Sequence, residues 1–259
     1  MVYFVTTPIG NLDELTYRAH KILQQVDCIF CEDTRHSQIL LNHYDVKKPL
    51  YSFHKFNEKQ QQNFVLQKAR DGDVAVISDA GTPCICDPGA SLVLALQEHG
   101  IPYTVVGSGC AFVSAFVLSG FCPPLTFCGF LPEKNGDKDK LLDGINTKGC
   151  LAFYVSVHNL QSDLNYLYQK LGERNACLVK ELTKMHEKVI HFPLSNPVCD
   201  EKGEFVLLID KTDFNPLCQM TVLEHVAHYV DLGMTKNEAI KQTAKDRGVS
   251  KNDVYKQCL

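Results

Sequence analysis

No apolar run in this 259-residue chain approaches the roughly 20 residues that a helix needs to cross a bilayer, so the sequence excludes a membrane-spanning helix. The N-terminus enters a strand-like run at Val2 with no basic region or cleavage site, which predicts no secretion signal and a cytoplasmic protein. Arginine is scarce: only Arg18, Arg35, Arg70, Arg174 and Arg247 are present, and the formal net charge is -4. Phosphate contacts supply most non-specific affinity, so a chain without a basic face does not coat nucleic acid indiscriminately. A nucleic-acid substrate would have to be a shaped target. Also missing are a repeat, a low-complexity tract and a P-loop, since no Gly-Lys-Ser/Thr follows the glycines. His186-Glu187 followed by His191 misses zinc-protease spacing by one residue and lies in strand-like sequence.

Twelve cysteines are present, but their placement does not form a metal set. Cys28 and Cys31 have CxxC spacing on a predicted strand, whose alternation sends the two side chains to opposite faces. Cys84 and Cys86 flank Ile85 in a loop, and no second CxxC pair completes a zinc site. The expectation is reduced thiols acting as small hydrophobes, with no metal.

What is there is an alternation of strands and helices. Val2–Val5, Cys28–Cys31, Val74–Ile77 and Tyr103–Val106 read as strands. Between them, Leu15, Ala19, Ile22, Leu23 and Val26 fall on one helical face, and helices are predicted over about 58–70, from Asp87-Pro88-Gly89 to about 99, and over 111–118. Such βα units predict a mainly parallel sheet with helices on both faces. Phe121-Cys122-Pro123-Pro124 marks an expected boundary, followed by strands at 125–130, 150–156, 175–182 and 204–210. The charged segment 133–148 reads as a mobile loop or a short helix. From Thr221 the pattern is helical only, with stop-and-cap signals at Gly233–Thr235 and Gly248–Ser250. The expected division is an α/β domain over 1–120, a second over 121–215 and a helical segment over 216–259.

Several strand ends carry chemistry. Ser78-Asp79-Ala80-Gly81-Thr82-Pro83 and Thr6-Thr7-Pro8-Ile9-Gly10-Asn11 each close an apolar run, and ligands of open α/β sheets bind outside such carboxyl ends. Glu32-Asp33-Thr34-Arg35 offers two carboxylates and a guanidinium, or, read plainly, a helix cap with an ion pair. In the run from Tyr51 to Glu58, His54 is a candidate base and Phe53 or Phe56 a stacking surface; the alternative is a linker with Asn57 as helix cap. Gly107-Ser108-Gly109 permits close backbone approach to a ligand but is not a full GxGxxG, because Phe112 stands at the third glycine position. His158 ends a later strand, and His225 and His228 are expected at the surface or in packing.

Taken in order, TPIGNL at 7–12, EDTR at 32–35, SFHKFNE at 52–58, SDAGTP at 78–83, DPG at 87–89, GFLP at 129–132 and KELTKMHE at 180–187 resemble one bacterial family. It is the ribosomal RNA small-subunit methyltransferase I family, of the tetrapyrrole-methylase-like superfamily. The resemblance implies a two-domain class III methyltransferase fold with a short C-terminal helical segment. It further implies a homodimer, S-adenosylmethionine between the domains, and methylation of a cytidine ribose 2′-hydroxyl in small-subunit (16S) ribosomal RNA. By motif, Asp79, Ala80, Gly81, Ser108, Gly109, Cys110, Ala111, Phe153 and Tyr154 fall to the cofactor. Pro8, Gly10, Asn11 and Asn57 fall to the acceptor, with Glu32, Asp33, Arg35 and His54 as catalytic candidates. The base is open between His54 and the two carboxylates. The chain departs from the family where Gly107-Ser108-Gly109-Cys110 replaces Pro-Gly-Pro-Ser, and where Val155 and Asn159 replace a glutamate and an arginine. These departures keep two alternatives in view: a small-molecule acceptor, or a non-catalytic RNA-binding scaffold.

Overall fold

A computed structural model describes every residue except 108, 198–201, 212–216, 218–219, 248 and 259. The chain divides into two compact units, Met1–Lys211 and Thr212–Leu259.

In the first unit, β1 (Val2–Val5), β2 (Cys28–Cys31), β3 (Leu50–Ser52), β4 (Val74–Ile77) and β5 (Tyr103–Val106) form an all-parallel sheet in the order β3-β2-β4-β1-β5. Side chains alternate across it. Phe4, Phe30, Val74 and Val76 meet Val65 and Leu66 of α3 (Glu58–Asp71) and Leu92 and Leu96 of α4 (Ala90–Glu98) on one face. Val5, Ile29, Ala75 and Ile77 meet Ala19 and Leu23 of α1 (Tyr17–Gln25) and Leu41 of α2 (Thr34–His43) on the other. Burial on both faces is why the central strands read as unbroken apolar runs. Cys28 and Cys31 go to opposite faces as their spacing predicted. Strand β3 leads into the 51–58 run, for which the sequence predicts a functional turn or a linker but no strand; three residues are too few to show a period.

Helix α5 (Ala111–Ser119) leaves the first sheet and packs on the second, with Phe112, Ala115 and Phe116 against Val179, Val206 and Leu208. That sheet contains β6 (Leu125–Phe130), β7 (Cys150–Val155), β8 (Asn175–Lys180), β9 (Lys188–Pro193) and β10 (Phe205–Ile209), in the order β6-β7-β10-β8-β9. Only β6 and β7 are parallel; the remaining pairs are antiparallel. The short β8–β9 connection permits nothing else, since a parallel pair needs a crossover of about a dozen residues. The outer face is covered by α6 (Asn135–Asp143) and α7 (Leu160–Leu171) through Leu142, Leu160, Leu164 and Leu167. The segment read as a loop or short helix therefore contains α6. It is tied down by a buried Lys138–Asp163 ion pair at 2.7 Å and by the Tyr166 hydroxyl donating to Asp139 at 2.8 Å.

The second unit carries α8 (Val222–Asp231), α9 (Lys236–Asp246) and α10 (Lys251–Gln257), packed through Val226, Ala239, Ile240, Ala244 and Val254. Thr221 with Glu224 and Thr235 with Glu238 form reciprocal capping boxes, and the Ser250 hydroxyl accepts from the Asp253 N–H. Gly248 lies outside the described residues. His225 is a packing residue: fully buried, it faces Asp246 at 3.3 Å through Nε2 and accepts from Arg247 Nε at 3.1 Å through Nδ1.

Candidate active site

The strand register brings the motifs of the first half to one line. Ser52, Cys31, Ile77, Val5 and Val106 stand side by side across β3, β2, β4, β1 and β5. The residues that follow are Phe53-His54, Glu32-Asp33, Ser78-Asp79, Thr6-Thr7 and Gly107. Five sequence stretches scattered over about a hundred positions thus share one sheet edge. Helix α1, which follows β1, and helix α4, which follows β4, cover opposite faces. Their divergence opens a crevice at the neighbouring ends of those strands, the position where open α/β sheets bind ligands.

Hydroxyls knit the loops at that edge. Thr7 and Gly81 exchange backbone hydrogen bonds at 3.0 and 3.1 Å, and the Thr7 hydroxyl donates to the Ser78 carbonyl at 3.1 Å. The Thr6 and Thr82 hydroxyls lie 3.1 Å apart, and Thr82 donates to the Gly109 carbonyl at 2.9 Å. Gly107 has φ +91°, and a Cβ there would sit 2.8 Å from Thr6 Cβ, so only glycine fits this turn. On the far side, Gly10 lies against the 182–184 segment: a Cβ would come within 2.7 Å of Lys184 Cγ and Thr183 Oγ1. The TPIGNL loop is therefore seated directly on the KELTK loop of the second sheet.

Between the strand-end loops and the second sheet lies a cavity of ≈ 440 Å³. Ala80, Gly81, Thr82 and Asp87 line it from the first sheet, Cys110 and Ala111 from the start of α5, and Tyr154 to His158, Val179 and Glu204 to Val206 from the second. Its size lies within the range of about 300–1,000 Å³ usual for small-molecule sites, and its walls are mainly apolar. Burial pushes the Tyr154 phenol up to about 12. Beside the cavity, Glu32, Phe53, Ser78, Pro83 and Asp87 pack around a recess with no room for a water molecule. Asp87 borders both.

Of the residues expected around a cofactor, Ala80, Gly81, Cys110, Ala111 and Tyr154 line the cavity. Asp79 stands behind it, its Oδ1 accepting from the Asp33 N–H at 3.3 Å. Gly109 anchors Thr82, and Ser108 is outside the described residues. The Phe153 side chain is buried in the core on the other face of β7, so only its backbone remains available to a ligand.

The acceptor candidates separate more sharply. Asp33 caps α2 and holds Arg35 in a bidentate pair at 2.9 and 3.2 Å, and that guanidinium keeps its carboxyl down at about 2. Arg35 itself is 90% exposed. The plain reading of that quartet, a cap and an ion pair, describes these two residues. Glu32 is different: burial, followed by the Asp87 and Asp79 charges, raises its pKa against an opposing pull from His54. Among the described residues, buried His54 Nδ1 has no hydrogen-bond partner. Asn57 occupies the helix-cap position without capping; its side chain accepts from His54 N–H at 2.8 Å and donates to the Ser52 carbonyl at 3.1 Å, bracing the turn. Phe53 is buried, whereas Phe56 is 92% exposed. Pro8 is half-buried in the seated loop, and Asn11 caps a short 3-10 helix, Leu12–Glu14.

Asp87 and Glu58 carry weight that the sequence reading did not give them. Glu58 Oε1 accepts from Gly89 N–H at 3.1 Å and from the Ser91 hydroxyl at 2.6 Å, fixing the Asp87-Pro88-Gly89 turn. The DPG motif was legible, but the depth at which it holds Asp87 depends on that long-range bond.

Comparison with known proteins follows the geometry. Residues 1–197 match the family model of Tetrapyrrole (Corrin/Porphyrin) Methylases. The chain is 36% identical over 268 residues to "Ribosomal RNA small subunit methyltransferase I" of Halalkalibacterium halodurans, covering 98% of this chain and 93% of the relative. The same-named protein of Bacillus subtilis is 34% identical over 270 residues, covering 98% and 92%. The chain belongs to the ribosomal RNA small subunit methyltransferase I family, within the tetrapyrrole methylases. A solved uroporphyrin-III C-methyltransferase from Thermus thermophilus, complexed with S-adenyl homocysteine, shares the fold. Its TM-score is 0.58 at 18% identity, over 81% of this chain and 96% of that one. Within the family, this chain's row of strand-end loops and its α5 entry supply the cavity wall, and the second sheet closes it. No helix among the described residues is long and apolar enough to cross a membrane, and none of their His, Cys, Asp and Glu groups forms a metal-holding set.

Proposed function

We propose that this protein transfers a methyl group from S-adenosylmethionine to a cytidine ribose 2′-hydroxyl of small-subunit (16S) ribosomal RNA. The observation that carries the reading is the cofactor-sized cavity at the strand-end crevice, whose lining residue Asp87 also packs beside Glu32. Family membership supplies the substrate class. The cavity suits the cofactor: Ile9, Val179 and Val206 offer apolar walls, and the glycine backbone at 81 lets a ligand approach closely. S-adenosylmethionine, when bound, supplies an electrophilic methyl on a sulfonium.

The chain's own residues supply alignment and a proton acceptor. Holding an oxygen in line with the methyl carbon provides much of the acceleration of a displacement. A ribose hydroxyl is a weak nucleophile, and removing its proton as the O–CH₃ bond forms lowers the barrier. Glu32 fits that task better than Asp33, because its raised pKa makes it the stronger base and Asp33 is committed to Arg35 and a helix cap. His54, at the neighbouring strand end, opposes that rise electrostatically. Lys55 and Phe56, exposed on the braced turn, face solvent where RNA would arrive.

A ribosomal-subunit substrate places this work in the cytoplasm. The active form is a homodimer; what supports this is the apolar outer face of α5, where Val113, Val117 and Leu118 are exposed. The deciding test offers small subunits from a strain lacking the modification, with methyl-labelled cofactor. Label in a cytidine 2′-O-methyl group is the expected result. Cofactor binding without transfer to RNA would leave a small-molecule acceptor or a scaffold in its place.

A further inference from the structure

We propose that Asp87 is the residue by which this site distinguishes the cationic methyl donor from its neutral thioether product. The inference rests on the S-adenosylmethionine reading and deepens it.

Two carboxylates line the cavity among the described residues, Asp87 and Glu204. Glu204 is met by Lys184 at 2.7 Å, so its charge is answered within the chain. Asp87 has no ion-pair partner among the described residues and is half-buried. It is held where cavity and recess meet, on a turn fixed by Gly89 (φ +132°) and by the Glu58 bond to Gly89 N–H. Burial raises its pKa, a hydrogen bond with Ser78 opposes that rise and the Asp79 charge adds to it; Asp87 in turn raises the pKa of Glu32. An anionic, partly desolvated junction favours a ligand that brings positive charge to that point, because charge interactions strengthen as water is excluded.

Of the two carboxylates that line the cavity, Asp87 is the one whose charge no cation answers among the described residues, so it is the one that a ligand's positive charge can meet. The donor carries its sulfonium charge at the reacting centre. After transfer the sulfur is a neutral thioether, while the amino-acid tail and adenosine are unchanged. The contribution of Asp87 therefore falls away when the reaction is complete. It favours the loaded donor and weakens the hold on the product.

Titration calorimetry on the full chain reads this directly, with S-adenosylmethionine, S-adenosylhomocysteine and sinefungin, whose amine places a cation near the position of the sulfonium. For Asp87→Asn, the preference for donor over product falls about tenfold, equivalent to about 1.4 kcal/mol. Sinefungin follows the donor, and Asp87→Glu keeps the wild-type preference. Asp87→Ser replaces the asparagine variant if the latter melts early. An unchanged donor-to-product ratio in a folded, uncharged variant overturns the inference and leaves the methyltransferase reading standing. Failure of the wild-type chain to bind any of the three overturns both.

Discussion

Glu32 and Asp33 are neighbours in sequence with opposite electrostatics. Both are half-buried, but partial burial and neighbouring carboxylates raise the pKa of Glu32, whereas Asp33 caps a helix and pairs with Arg35, which holds it at about 2. If Glu32 takes the ribose proton, Glu32→Gln lowers single-turnover methyl transfer by about 10²- to 10⁴-fold with cofactor affinity retained. Base catalysis requires the ionised carboxylate. The acid limb of the kcat/KM profile therefore lies above the ordinary glutamate value of about 4.3, and activity is lost as pH falls through it. A profile flat to pH 4 would point to another base. Phe56 makes a separate case. Its ring is exposed and lies 6.1 Å from that of His54, on a turn braced by Asn57. Stacking on a nucleobase is worth about 1–3 kcal/mol. Phe56→Ala raises KM for small subunits while Phe56→Tyr does not, and calorimetry with the cofactor is unchanged in both.

Among the elements, the C-terminal helices carry their own pH dependence. His225 is buried neutral between Asp246 and Arg247, and burial is the main reason its pKa is lowered. The unfolded chain takes up a proton near pH 6.5 and the folded helices resist it. Their stability is complete above that value and declines as pH drops below it. Hydrogen exchange in peptides from 222–257, corrected for intrinsic rates, shows faster opening at pH 5.5 than at pH 7.5, a difference that His225→Gln reduces. These helices were readable in outline because Thr221, Thr235 and Ser250 announce their starts, and each hydroxyl does cap. The short strand β3 was not, and the charged α6 sequence reads equally as a loop, because its anchor, the Lys138–Asp163 pair, is supplied by another helix. The βα alternation gave the parallel first sheet. It said nothing of the antiparallel pairing of the second, where the short β8–β9 connection forces one pair and β10 inserts between β7 and β8 from a distance in the sequence.

For the molecule as a whole, the parts of the site written locally were legible: a motif at a strand end is visible in one stretch of sequence. That the 32–35, Pro8 and Asp79 loops share one sheet edge also follows from the strand-end rule; what does not is the place of the 53–54 turn beside them and the Gly10 contact between the two halves, which depend on register across five strands. Asp87 shows the difference, since its neighbours Glu32 and Asp79 come from other strands. The outer face of α5 bears on assembly. Val117 is 74% exposed on a helix whose other face is committed to the second sheet. Sedimentation of the wild-type chain gives a dimer, and Val117→Glu shifts it toward monomer without lowering the melting temperature. A wild-type monomer at micromolar concentration would remove the dimer from this account.

The cysteines described as packing residues also amount to a set of built-in reporters. Cys28 and Cys31 occupy opposite faces of the first sheet, while Cys150 and Cys177 lie under α5 on the second. Burial raises all four, Cys150 to about 12 and Cys177 to about 11, so they are protonated and unreactive at neutral pH while the chain is folded. Brief exposure to an alkylating reagent, read by mass spectrometry, should mark exposed Cys122 at once and the other four only as their layers part. The order in which they are marked would give the sequence in which the two sheets come undone, with no residue having to be introduced to see it.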